Sequence, residues 1–181
     1  MKKLICALLA LSLALAMTAC GGKQPTETTA PAANIEGTME ELLNKVIEQR
    51  PVEFAGGVFP IDLTDTSEDG LWSIKSFTGL EDVSMLTEAA AYEPMMGSLA
   101  FSMVMVRTAA GADPKAVAEA MKSGVDPRKW ICVEADDIKA ASKGDLALFF
   151  MVDSAFADTV TASEIMEAFK SVCGGSLDSE I

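Results

Sequence analysis

Cys132, Cys173, Glu134 and Asp136 are the side chains with the clearest capacity for nucleophilic or acid–base work, and the chain that carries them holds no histidine. Histidine is the commonest general base and metal ligand and the usual partner of a serine or cysteine nucleophile, so its absence removes the Ser-His and Cys-His classes of mechanism. A serine–lysine pair remains chemically open, but no Ser-x-x-Lys spacing occurs. On an extended strand Glu134 and Asp136 share one face about 7 Å apart. A solvated strand face explains that alternation more simply than a catalytic dyad does. Three arrangements fit Cys132 and Cys173: two buried thiols, one disulfide, or one reactive thiol. The apolar neighbours Ile131 and Val133, and the apolar stripe on which Cys173 falls, favour burial.

Metal chemistry has two weak signatures. Asp65-x-Ser67-x-Asp69-Gly70 imitates the opening of a calcium loop, with oxygens at positions one, three and five before a glycine at six. Its twelfth position is Ser76 where a bidentate glutamate is required, so a polar turn is the expectation. Met95-Met96 and Met103-x-Met105 could offer thioethers to Cu(I). Methionine is far more often an adaptable filler of cores. Trp72, Tyr92 and Trp130 could line a ligand groove, although singly placed aromatics usually serve packing. No cofactor-binding motif is present, so catalytic, cofactor and metal residues are all read as none.

What must position these residues begins with the leader. Lys2 and Lys3, the uncharged run Leu4 to Leu15 and Met17-Thr18-Ala19-Cys20 have the form of a lipoprotein export signal over residues 1–19, with Cys20 as the lipidated first residue of the mature chain. The apolar run is shorter than the roughly 18 to 20 residues that span a bilayer. Two acyl chains on Cys20 would anchor durably, at about 0.8 kcal/mol per buried methylene. Residues 20–36, rich in Gly, Pro, Thr and Ala, cannot bury enough surface to order themselves and read as a flexible tether with a reach of roughly 20 Å. Residues 37–181 then form one domain. The chain has 14 basic and 27 acidic residues; without Lys2 and Lys3 it has 12 against 27, a net of −15. Nucleic acid is excluded as a partner by that charge, and cations or basic partners are electrostatically favoured.

Within the domain three helices are announced by their caps. Thr38 and Glu41 form a capping box before Met39, Leu42, Leu43, Val46 and Ile47, and Arg50-Pro51 ends that helix. Asp113 and Pro114 open a second, with Ala116, Val117, Ala120 and Met121 as its inward stripe and Gly124 beyond it. Thr161 and Glu164 open the third, whose stripe is Ala162, Ile165, Met166, Phe169, Val172 and Cys173, with Gly174 as its stop. Leu99 to Thr108 reads as a central strand. Ile131 to Ala141 and Asp145 to Asp153 read as a hairpin around Ser142-Lys143-Gly144, and Leu71 to Phe77 as a weaker strand after the polar loop Asp62 to Gly70. The expected class is α+β: a mostly antiparallel sheet with helices packed on one face.

The stretch Val125-Asp126-Pro127-Arg128-Lys129-Trp130-Ile131-Cys132-Val133-Glu134-Ala135, with the leader motif, the strand Ser102 to Arg107 and the turn Lys143-Gly144-Asp145, resembles a family of small uncharacterised lipoproteins of Gram-positive bacteria. The resemblance covers about Tyr92 to Val152. It implies a membrane-tethered extracellular domain and brings no catalytic residues with it. The expectation from sequence is therefore a lipid-anchored extracytoplasmic domain on the cell membrane, not an enzyme, that binds a protein partner or small ligand at the envelope. An envelope hydrolase using carboxylates or Cys132, or a calcium- or copper-binding lipoprotein, is the alternative.

Overall fold

Leu146–Val152 is apolar at every position and buried at every position, which is the signature of a strand covered on both sides. In the computed structural model, which describes residues 34–181, that strand sits inside a six-stranded sheet. The leader, Cys20 and nearly all of the expected tether lie outside the described residues. In chain order the elements are α1 (Met39–Gln49), β1 (Gly56–Pro60), α2 (Glu68–Thr78), β2 (Leu86–Pro94), β3 (Phe101–Thr108), α3 (Pro114–Gly124), β4 (Asp137–Lys143), β5 (Leu146–Val152), a 3-10 turn (Ser154–Phe156), α4 (Ala162–Val172) and β6 (Ser179–Glu180). The strands lie in the order β1-β2-β3-β5-β4-β6, with every pairing antiparallel. The α+β class and the antiparallel sheet are as expected.

The helices, however, cover both faces rather than one. Phe101, Met103 and Met105 of β3, with Leu146, Leu148 and Phe150 of β5, point to α1 and α4. The alternate residues Val104 and Val106, with Ala147, Phe149 and Met151, point to α2 and α3. A strand apolar on both alternating sets needs two covers, and four amphipathic helices supply two to each side.

The caps form as the sequence indicates. Thr38 and Thr161 each accept from the backbone N–H three residues on, while Glu41 and Glu164 reach back to the cap N–H. Asp113 caps α3 ahead of Pro114. The inward stripe of α3 differs from expectation: Val117, Ala118 and Met121 are buried, whereas Ala116 and Ala120 are exposed. Leu71 to Phe77 is helix, not strand. Ser67 caps it by accepting from Gly70 N–H, Glu68 and Asp69 meet the positive end of the dipole, and Gly79 closes it at φ +71°. A Cβ on Gly124 would stand 2.1 Å from the carbonyl oxygen of Gly79, so the ends of α2 and α3 touch backbone to backbone.

The hairpin of β4 and β5 turns through Gly144 at φ +58° and Asp145, with Lys143 opposite Leu146. Its first arm starts at Asp137, six residues later than Ile131. Residues 131–136 are irregular, and Ala135 N–H closes the loop by donating to Pro127 O. β1, β2 and β6 are elements the sequence reading does not contain. Among the described residues no helix is long and apolar enough to cross a membrane.

Candidate functional site

Most of the residues singled out from sequence are dispersed by the fold. Glu134 forms an exposed ion pair with Arg128, while Asp136 accepts from the Ser154 hydroxyl and N–H, at 2.7 and 2.6 Å. The Ser154 bonds hold the Asp136 carboxyl below its ordinary pKa. With residues 131–136 outside the sheet, the two carboxylates do not share a strand face. Cys132 is exposed and has φ +64°, so its expected burial in a sheet is overturned. Cys173 is half-buried at the end of α4, and both thiols are free. Burial pushes the Cys173 thiol up to about 12.

Met103 and Met105 are sealed in the core, which makes them packing groups, while Met95 and Met96 are exposed in the loop after β2. Tyr92 is buried, and its ring meets Phe101 edge-on. The apparent calcium loop is a helix start: Asp65 accepts from Ser67 N–H, Ser67 caps α2, and the twelfth position, Ser76, lies within that helix. Among the described residues no group of three or more carboxylate or cysteine side chains is placed to hold a metal ion.

The fold does bring together one cluster that spacing could not show. Lys129 Nζ donates to Glu93 Oε1 at 2.7 Å and to Ser102 Oγ at 2.9 Å, and the Ser102 hydroxyl donates to the same carboxylate oxygen. The ammonium lies over the rings of Phe77 and Trp130, 4.7 and 5.2 Å from their centroids. Burial lowers the pKa of Lys129, and Glu93 opposes that shift. Although this is a serine–lysine contact, Ser102 is wholly buried and its proton points to a carboxylate. The three groups satisfy one another and fasten the loop after α3 onto β2 and β3.

A second network closes the far end of β3. Arg107 bonds Asp145, Glu88 and the carbonyl of Gly37; Asp145 also accepts from Ile35 N–H at 3.0 Å, and Glu88 from Met39 N–H at 2.9 Å. The chain is thus secured from Ile35, two residues before the expected domain boundary.

An open concave surface lies beside α2. Leu63, Leu71, Trp72, Ile74, Leu80 and Val83 line a groove of about 430 Å³, rimmed by Asp65, Glu81 and Asp82. Trp72 is 71% exposed and Leu71 55%, although both belong to a helix whose other face is in the core. Compared with protein-family models, curated proteins and solved structures, the chain matches none. The groove is therefore read from its own chemistry. Three carboxylates of the groove and of a smaller cavity beside it are pre-set by short turns. Asp62 accepts from the hydroxyl and N–H of Thr64, Asp65 from Ser67, and Asp82 from Ser84 N–H at 2.8 Å. These bonds hold all three carboxyls below the usual carboxylate range, so they stay ionised in mild acid. The smaller cavity, of about 190 Å³ on the other flank of the α2 start, adds Asp62 and Asp69 and shares Asp65 and Ile74 with the groove.

Trp72 and Asp65 thus meet at the groove, Asp69 lies in the cavity beside it, and Trp130 meets Lys129 elsewhere. On the strand expected over Leu71 to Phe77, Leu71 and Trp72 would face opposite sides, and only the helix brings both to the groove. The signals for the helix, Ser67 ahead of Glu68-Asp69 and a glycine after Thr78, were present in the sequence.

Proposed function

We propose that this chain is a lipid-anchored extracytoplasmic binding domain that presents the groove beside α2 to a ligand or partner at the cell envelope, without catalysis of its own. The observation that carries the binding part is the exposure of Trp72 and Leu71 over an apolar groove: large apolar side chains grouped at a concavity mark interaction sites, whereas scattered ones do not. The anchoring part rests on the leader pattern ending at Cys20 and on the resemblance to Gram-positive lipoproteins.

The two parts fit one geometry. The Arg107 network fastens Ile35 to Met39, where the chain comes in from its N-terminal side, on the α1 and α4 side of the sheet, and the groove opens on the α2 and α3 side. A tether ending there leaves the groove unobstructed by its own attachment. The test is fractionation of host cells expressing the wild type or Cys20→Ala, with mass spectrometry of the N-terminal peptide. Membrane association with a diacylglyceryl group on Cys20, lost in the variant, is expected. An uncleaved leader, or equal membrane association of Cys20→Ala, would refute the anchor.

A further inference from the structure

We infer that the groove beside α2 takes a short basic peptide segment in which lysine or arginine alternates with leucine-sized apolar side chains. The inference rests on the reading of this groove as the binding site and adds the class of its occupant.

Shape and charge argue for it independently. The floor is hydrocarbon, and the exposed face of Trp72 offers both apolar area and a ring over which a cation is attracted. A volume of about 430 Å³ is enough for a few side chains and falls in the ordinary range of roughly 300–1,000 Å³ for ligand sites. Around the groove and the smaller cavity beside it stand Asp62, Asp65, Asp69, Glu81 and Asp82, against the single cation Lys75. Lys75 is itself paired with Glu81.

Three of those carboxylates, Asp62, Asp65 and Asp82, are fixed by their turn hydrogen bonds, so they meet a cation without being reordered first. An anionic headgroup or acidic peptide would meet uncompensated repulsion there. A purely apolar partner would leave the rim unused. The net charge of −15 without Lys2 and Lys3 extends the attraction beyond the groove and would steer a basic segment toward it.

The test uses the chain from Gly21 onward, which carries both cores entire, and fluorescently labelled peptides read by anisotropy. The probe alternates lysine and leucine; the controls alternate glutamate and leucine, or lysine and serine. The lysine–leucine peptide is expected to bind, the glutamate–leucine peptide to fail, and the lysine–serine peptide to bind weakly. Trp72→Ala should weaken binding about tenfold or more. Asp82→Asn with Glu81→Gln should weaken it several-fold and flatten its dependence on salt between about 50 and about 300 mM.

Both sets of side chains are exposed, and circular dichroism is the check that the variants fold. Absence of lysine–leucine binding, or binding unchanged by Trp72→Ala, overturns the proposal. If both leucine peptides bind alike and both are lost in Trp72→Ala, the groove stands as the binding site and the basic class of occupant falls.

Discussion

Ser102 and Arg107 lie on the same strand, five positions and roughly 17 Å apart, and face opposite sides of the sheet. Each is the centre of a charge network that closes its end of the core. Ser102 is held by Lys129 and Glu93 against the α2 and α3 layer, Arg107 by Asp145 and Glu88 beneath the start of α1. β3 is therefore apolar through its middle and pinned by charge at both ends.

Removing the ammonium of Lys129 leaves the largely covered Glu93 without its counter-charge. Lys129→Met should destabilise the domain by about 3–5 kcal/mol, measured by urea unfolding. The triple change Lys129→Met, Glu93→Leu, Ser102→Ala should recover most of that loss, since an apolar replacement of the whole cluster leaves nothing unpaired. A triple variant no more stable than the single one would mean that the cluster contributes net attraction.

Arg107→Ala should loosen the start of the domain more than its centre. The substitution removes the donor to Gly37 O and the partner of Asp145, whose other oxygen holds Ile35 N–H. Hydrogen exchange at Ile35 and Met39 should quicken by the equivalent of about 1–3 kcal/mol, with the amides of β5 changed less. Uniform acceleration across the sheet would show that the network supports the whole fold and not this segment.

The two thiols should separate cleanly under a thiol-reactive probe. Cys132 is exposed, while Cys173 is half-buried with its pKa pushed up to about 12, so at pH 8 only about one Cys173 in ten thousand is thiolate. Fast labelling of Cys132 and slow labelling of Cys173 are expected in the folded state.

The same shift has a sign in stability. A thiol whose folded pKa is raised contributes fully below its ordinary value of 9.0, and that contribution is lost as pH climbs toward about 12. Burial of Lys129 works in the reverse direction, since its lowered pKa makes the folded state shed a proton first as pH rises toward 10.5. Cys173→Ala should remove the first trend and leave the second, in urea midpoints taken between pH 9 and 11. A midpoint that still falls in the variant with the wild-type slope would assign the trend to another group.

Where the sequence carried a complete local instruction, the structure follows it. The capping boxes at Thr38 and Thr161, the Asp113-Pro114 start and the Lys143-Gly144 turn each place donor, acceptor or permissive backbone within four residues. Elements decided by distant partners were not legible. The alanines of β2 at positions 89–91 favour helix on propensity, yet they pair with Met105, Val104 and Val106 of β3, and their small side chains suit a strand buried on both faces. β1 contains two glycines and a proline and becomes a strand because β2 offers it an edge. The Lys129 cluster joins residues 27 and 36 positions apart, a separation no spacing rule covers.

The nine methionines of the described chain divide sharply by access. Met39, Met103, Met105, Met121, Met151 and Met166 are buried, Met85 is partly covered, and Met95 and Met96 stand outside. A peroxide arriving from solvent would thus convert the loop pair to sulfoxides first, adding polarity where no packing is lost, while the sulfurs between the layers stay reduced. That arrangement gives chemical endurance to an interior that includes six oxidisable side chains.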